Sequence, residues 1–200
     1  MESDTTFSIG SRLGSTPPDR YAPDREELLQ QALDAWRVNP LARRIVGLTS
    51  QYVVGGGISF SCAHEPTAAF LQACWDHPLN RLAVRVYEWC DELTRSGNLF
   101  LLLSTDAAGM SYLRAVPAMR VRSIHSRSND TDQETSYEMQ PDRQDSLESR
   151  CWQAYDAQQD SPREVGGFDT VMLHYAINRP VGAQWGESDL APILRWLSRY

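Results

Sequence analysis

Two cysteine–histidine pairs have the spacing that comes nearest to a metal site. Cys62 and His64 are followed by Cys74 and His77, so four potential zinc ligands lie within sixteen residues. Structural zinc sites usually hold paired ligands two to four residues apart across a loop. Here the first pair is closer than that, and the second pair falls in a helical pattern. We therefore predict that Cys74 is a buried apolar side chain and that the chain has no metal site.

Two further cysteines and two further histidines could supply nucleophilic catalysis. Cys90 and Cys151 would each need His125 or His174 as a base, together with an oxyanion hole. No G-x-S-x-G nucleophile elbow is present, and Cys90 lies on the apolar face of a helical pattern, where a thiol is usually inert. We predict that both histidines are half-buried and bonded to backbone. A small α+β hydrolase or transferase of unknown type stays open as an alternative.

The charged residues narrow the function classes further. All nineteen basic residues are arginine, which excludes Schiff-base chemistry and a P-loop lysine in this chain. Glu88, Asp91 and Glu92 share one helix surface, which is typical of a solvated face. A net charge of −7 argues against a protein that binds nucleic acid over a broad surface. An alternative nucleic-acid-binding module would use Arg120 and Arg122, predicted on one face of a strand, together with Arg127.

The segments that must position these residues begin with helices. Residues 1–23 are polar and proline-containing and are predicted to be a flexible N-terminal arm; they do not have the pattern of a signal peptide. Asp24 would cap a first helix, and Asn39 with Pro40 would open a second one that ends at the glycines 55–57. The second helix is predicted to bury the stripe Leu41, Ile45, Leu48 and Tyr52.

Strand patterns follow the helices. After a short strand "ISFS" and a short helix around Cys74, a strong helical pattern ends at Gly97. "NLFLLLST" and "SYLRAVPAMRVRSIH" then predict a hairpin, "SYEMQ" an edge strand, and "RCWQAYDA" and "TVMLHYAI" two more strands. The fold class predicted is α+β: N-terminal helices, an antiparallel sheet and a C-terminal helix, with residues 24–187 as one domain. Four scattered cysteines favour a reducing compartment, and no apolar run approaches the ~20 residues of a membrane span.

Four segments, taken in order, resemble the wing, the outer α+β region, of tailed-bacteriophage portal proteins. "NPLARRIVGLTSQYVVGGGISF" resembles their early helix and its glycine-rich end, and "YEWCDELTRSGNLFLLL" resembles the next helix, its Gly-Asn junction and an apolar strand. "GMSYLRAVPAMRVRSI" is similar to a strand with an L-x-x-[VI]-x-P pattern. "VMLHYAINRPVGAQWGESDLAPILRWLSRY" resembles a strand ending in His before a G-x-S-x-L-x-P helix start. The residues that carry these matches are Asn39, Pro40, Gly97, Asn98, Pro117, His174, Gly186, Ser188, Leu190 and Pro192.

The resemblance implies a structural subunit without a cofactor, rather than an enzyme. Its partners would be copies of itself in a dodecameric ring, the double-stranded DNA in the channel, the terminase large subunit, capsid or scaffold proteins and the tail connector, with no membrane partner. The ring would be assembled in the bacterial host cytoplasm and would lie at one capsid vertex of the virion for DNA packaging and ejection. In that family the helix begun at Ser188 leads into a stem and clip. Residues 188–200 are therefore expected to start a helix whose continuation is missing here, with its leucines short of packing partners.

A ring also requires two different surfaces on each subunit. We predict that these are the arginine-bearing stretch 114–127 and the acidic stretch 126–164. Arg114, Arg120, Arg122 and Arg127 are accordingly the candidate subunit or DNA contacts. An acidic channel wall would let a polyanion slide without trapping it.

Overall fold

The structure of the protein, a computed structural model, describes residues 19–141, 150–156, 169–197 and 199. The helices are α1 (Ala22–Val38), α2 (Pro40–Val54), α3 (Glu65–Asp76), α4 (Leu82–Ser96) and α5 (Leu194–Leu197). The strands are β1 (Asn98–Thr105), β2 (Ser111–Val116), β3 (Val121–Arg127), β4 (Asp130–Met139), β5 (Cys151–Gln153) and β6 (Asp169–Ala176). Short 3-10 turns cover Ala118–Arg120 and Ala191–Ile193. The predicted α+β class, with helices before strands and a helix at the end, is confirmed.

The first helix begins earlier than predicted. Its N-cap is Tyr21, with Pro23 in the first turn, so Asp24 lies inside the helix and does not cap it. Asp19 is also held in place, because its carboxylate accepts hydrogen bonds from the backbone N–H groups of Gln184 and Trp185, each at 2.9 Å. The predicted arm is therefore wrong for residues 19–23, and residues 1–18 lie outside the described part of the chain.

A single residue separates the first two helices, as predicted. The side chain of Asn39 accepts hydrogen bonds from the backbone N–H groups of Leu41 (2.8 Å) and Ala42 (3.3 Å), and Pro40 occupies the first helical position. The buried face of α2 is not the predicted one. It consists of Ala42, Val46, Ser50 and Val54, while Leu41 and Tyr52 are exposed. The buried side chains are smaller than Leu41 and Tyr52, so α2 can approach its neighbours closely on this face. We attribute the choice of buried face to this close packing.

The strands form two small sheets instead of one. β2-β1-β6 and β3-β4-β5 are each antiparallel, and the parallel bridge between Ala154 and Met172 joins them. The hairpin of β1 and β2 is confirmed, with Leu103 opposite Leu113. Pro117 and the 3-10 turn after it end β2 and send the chain into the second sheet, which interrupts the predicted continuous strand. β4 is central rather than an edge strand, and residues 58–61 form no strand.

Two apolar clusters make the core. One lies between α1 and the two sheets and includes Phe100, Tyr137, Met172 and Trp185. The other joins α1 and α2 to the end of the described chain through Leu190 and Leu197, which are 0% and 5% exposed. These leucines therefore have packing partners, contrary to expectation. The helix predicted from Ser188 begins later than expected, because a 3-10 turn at Ala191–Ile193 precedes α5, which starts at Leu194. Within the described ranges, no helix combines the length and apolar character that crossing a membrane requires.

Candidate functional site

Four of the ten residues that carry the family resemblance, Gly97, Asn98, His174 and Gly186, meet where α4 passes into β1. Gly97 ends α4 in the left-handed conformation, with φ 77°, as its predicted role as terminator requires. A Cβ at Gly97 would overlap the backbone of Glu187, and one at Gly186 would overlap the carbonyl oxygens of Gly97 and Ile177. Both glycines are thus required by the close approach of two backbone segments that are far apart in the sequence.

Asn98 links these segments from the inside. Its fully buried side chain donates hydrogen bonds to the carbonyl oxygens of Ser96 (2.9 Å) and Gly186 (3.1 Å). The Oδ1 atom accepts a hydrogen bond from the backbone N–H of Gly186 at 2.8 Å and lies 3.1 Å from His174 Nε2. Because two donated bonds fix the orientation of the amide, Oδ1 acts only as an acceptor, and His174 Nε2 must carry a proton.

His174 joins the two sheets through side chains, not through the backbone contacts that were predicted. Its Nδ1 lies 2.8 Å from Glu134 Oε1 on β4, and its ring stacks on Phe100 with centroids 4.3 Å apart. Two acceptors repel at such a distance, so one proton lies between Nδ1 and Oε1. The Tyr137 hydroxyl donates to the other Glu134 oxygen at 2.6 Å. We call Asn98, His174, Glu134, Tyr137 and the Gly97–Gly186 contact the buried joint.

The electrostatics of the buried joint favour a structural role. Burial, and next the hydrogen bond to Glu134, raise the pKa of Tyr137 well above its ordinary range, so its phenol stays protonated. The His174 side chain is only 2% exposed, and both ring nitrogens are engaged. A general base needs a free nitrogen within reach of its substrate. An open groove of about 860 Å³ runs beside Glu134 between β4, β5 and β6, but His174 offers it no free nitrogen.

The remaining resemblance residues attach the end of the described chain to the helices. Ser188 is buried, and its hydroxyl accepts a hydrogen bond from the backbone N–H of Leu190 at 3.0 Å. The next N–H, of Asp189, donates to the carbonyl oxygen of Thr94 on α4. Asn39 donates from its side chain to the carbonyl oxygen of Leu197 at 2.8 Å. Pro192 is exposed in the 3-10 turn.

The candidate arginines do not form one stripe. Arg120 lies in the 3-10 turn after Pro117, whereas Arg122 lies on β3 and pairs with Glu138 at 3.3 Å. Arg114, on the other sheet, donates to the carbonyl oxygen of Leu113. The predicted face shared by Arg120 and Arg122 is therefore wrong, because Pro117 ends the strand on which it depended.

The two predicted ring surfaces are partly neighbours in the fold. β3, which ends at Arg127, and β4 are neighbouring antiparallel strands of one sheet, with Arg127 opposite Asp130. The end of the arginine-bearing stretch and the first part of the acidic stretch therefore lie side by side, while Arg114 lies on the other sheet. Their role as ring surfaces stays a prediction. Residues 142–149 and 157–164 of the acidic stretch lie outside the described residues.

The cysteines and histidines stay apart. Cys74 is buried and accepts from the Asn80 amide at 3.3 Å, as expected for a packed thiol, while His64 contacts Thr67. Cys90 is half-buried and Cys151 exposed, and among the described residues no hydrogen bond joins a cysteine to a histidine. The same described ranges contain no cluster of three or more side chains arranged to hold a metal ion. His125 is exposed and contacts Ser123, so the prediction that it is half-buried is wrong.

Four side chains make buried or partly buried contacts that no sequence pattern predicted. Glu134 and Tyr137 lie in the polar strand β4 and belong to no motif. Glu92, predicted on a solvated face, is only 15% exposed; it accepts from the backbone N–H of Ala118 at 3.3 Å and pairs with Arg95. Asp91 likewise accepts a hydrogen bond from Ser50. No residue pattern in the sequence indicated that this side of α4 is covered.

Comparison with known proteins adds no relative. Neither a scan against protein-family models nor a search of curated protein sequences finds a match for this chain.

Proposed function

We propose that the chain is a wing subunit of a tailed-bacteriophage or prophage portal ring. In that role it assembles with copies of itself around the channel for double-stranded DNA at one capsid vertex. The terminase large subunit docks during packaging and the tail connector afterwards. The chain would act as a passive scaffold, and ATP-driven work would belong to the motor.

The observation that carries this proposal is the convergence of the resemblance residues. Gly97 ends α4, Asn98 begins β1, and His174 lies on β6. Hydrogen bonds join Asn98 to His174 and to Gly186, and the backbone of Gly97 closely approaches Gly186. These residues belong to two of the four resembling segments, and Asn98 and Gly186 are 88 residues apart in the sequence. Two short motifs matched by chance would not be expected to meet in one set of contacts. Their convergence supports the view that the resemblance reflects one shared structural joint.

The order of the layers and the chemistry of the joint add support. Helices precede the strands in an α+β arrangement, the class that the resemblance implies for a portal wing. The buried histidine has both nitrogens engaged, which favours a scaffold over the alternative hydrolase or transferase. The dispersal of Arg114, Arg120 and Arg122 over two sheets and a turn weakens the alternative nucleic-acid-binding module.

The test is electron microscopy of the protein isolated from the cells or particles that produce it. Negative-stain images should contain closed rings of one size with a central channel, and immunogold labelling should mark a single vertex of each capsid. A capsid-assembly mutant of the same source, in which the protein is still made, is the control for labelling that does not depend on capsids. Native protein that is monomeric, or spread evenly over the capsid surface, would exclude the portal function.

A further inference from the structure

Helix α2 exposes apolar side chains near both of its ends, while Ile45 in the middle packs against the second core cluster. Leu41 is 52% exposed and Tyr52 is 87% exposed, while Ile45 and Leu48 between them are half-buried. Among the described residues, sixteen large apolar side chains are exposed, and twelve of them belong to residues 38–87 or to Trp196. The exposed apolar side chains are therefore concentrated in the helical part of the chain, and contiguous patches of this kind mark interaction surfaces.

One end of α2 is basic as well as apolar. Val38, Leu41 and Trp196 are exposed here, and the hydrogen bond from Asn39 to Leu197 holds α5 against this end. The charged residues of stretches 37–44 and 195–199 are all arginines: Arg37, Arg43, Arg44, Arg195 and Arg199. We call this surface the basic end. It stands out in a chain whose net charge is −7.

The other end of α2 leads into a surface of opposite charge. Residues 55–76 expose Ile58, Phe60, Phe70 and Leu71, and Phe60 packs against Trp75 with ring centroids 5.8 Å apart. The acidic side chains of this stretch are Glu65 and Asp76, both exposed, and it contains no arginine. We call this surface the apolar lobe. The rise of α2 separates Leu41 from Gly55 by about 21 Å.

We propose that the basic end of one copy of this chain binds the apolar lobe of the next copy. Both surfaces supply apolar side chains to bury, and arginines on one side face carboxylates on the other. Because the two surfaces differ and lie at opposite ends of a helix, the contact is head-to-tail, and each copy in a pair leaves its other surface available for a further copy. This inference deepens the ring assembly proposed above and rests on it for the identity of the partner, a second copy.

The test uses two variants that each disable one surface of the full chain. Leu41→Asp places a charge in the basic end, and Leu71→Asp places one in the apolar lobe; Val181→Asp, at a fully exposed loop position, is the matched control. Sedimentation velocity should find concentration-dependent assembly for the parent chain and for Val181→Asp. Each of the other two variants alone should remain monomeric, while circular dichroism and the thermal midpoint report that it is folded.

Mixing the two disabled variants is the decisive measurement. A Leu71→Asp copy retains its basic end and a Leu41→Asp copy retains its lobe, so an equimolar mixture should form one-to-one dimers and stop there. A mixture that stays monomeric, a parent chain that never assembles, or single variants that assemble as the parent does would each overturn the proposal. Open fibres from the parent chain, with the mixture still dimeric, would keep the head-to-tail contact and exclude the portal ring.

Discussion

At the scale of single residues, the contact between Gly97 and Gly186 sets the tightest constraint on the sequence. The two backbones approach so closely that neither position has room for a side-chain carbon. The side-chain amide of Asn98 donates a hydrogen bond to the carbonyl oxygen of Gly186 and accepts one from its backbone N–H. Buried polar groups of this kind stabilise a fold only while all of them are paired, so small changes here should have large effects.

Gly186→Ala should lower the free energy of unfolding by about 2–4 kcal/mol, because the added methyl group forces two backbone segments apart. Gly47→Ala is the matched control. Gly47 lies in the middle of α2 with nothing within 4 Å of an added Cβ, so alanine should stabilise the helix by about 0.5–1 kcal/mol. Urea denaturation should give changes of opposite sign in the free energy of unfolding for the two variants. A Gly186→Ala variant as stable as the parent protein would contradict the close approach of the two backbones.

Tyr137 should make the protein sensitive to alkali. Its pKa is raised in the folded state by burial and by Glu134, whereas an unfolded tyrosine releases its proton near pH 10. Above that pH the folded state binds the extra proton, so the free energy of unfolding should fall as pH rises, by up to about 1.4 kcal/mol per unit. Tyr137→Phe should lose part of this slope between pH 9.5 and 11. Denaturation at a series of pH values measures this dependence. If the free energy of unfolding changed equally with pH in both proteins, Tyr137 would not be the source of the alkaline sensitivity.

At the scale of elements, α3 is attached to the sheet mainly through one side chain. The buried Asn80 amide donates to the carbonyl oxygens of Cys74 and Ser111, both at 2.9 Å, and its oxygen accepts from the backbone N–H of Leu113. α3 itself buries only Cys74. The attachment of α3 therefore depends on polar contacts more than on apolar packing.

Asn80→Ala should release α3 and expose the thiol of Cys74. In the parent protein, burial raises the pKa of that thiol, and a thiol-specific reagent should modify Cys62 and Cys151 first because they are exposed. In the variant, mass spectrometry of labelled peptides should find Cys74 modified at least about tenfold faster, as local unfolding exposes it. Gln72→Ala, on the exposed side of the same helix, should leave the order of labelling unchanged.

At the scale of the whole molecule, the end of the described chain connects the helices to the sheets. Leu190 is fully buried among Ala32, Ala42 and Val46, while the preceding residues hold the buried joint. Leu190→Ala should therefore cost about 2–5 kcal/mol, and Leu79→Ala, at a largely exposed position, less than about 1 kcal/mol. During unfolding, the loss of helix measured by far-UV circular dichroism and the change in tryptophan fluorescence should occur in the same transition. Separate transitions would mean that the helical layer unfolds independently of the sheets.

The same scale decides how copies could meet. Rings need different surfaces on the two sides of a subunit, and the two ends of α2 differ in charge while both expose apolar side chains. The stretches on β3 and β4 lie side by side in one sheet, with Arg127 opposite Asp130, so there they form one continuous surface.

Local signals alone determined several features of this protein. Asn39 and Pro40 predicted the start of α2, Gly97 predicted the end of α4, and alternating helical and strand patterns predicted the α+β class. These succeed because caps, left-handed glycines and apolar periodicity act over a few residues.

Only the tertiary structure decided which apolar face of α2 is buried, how the strands divide into two sheets, and what His174 contacts. The face that is buried carries the smaller side chains around Val46, and the larger stripe through Leu41 is not the buried one. Small side chains allow helices to pack closely, and close packing contributes more than burying one large side chain. The partner of His174 on β4, Glu134, lies forty residues away and belongs to no pattern. Such pairings depend on how distant segments meet, and that is a property of the whole chain's packing.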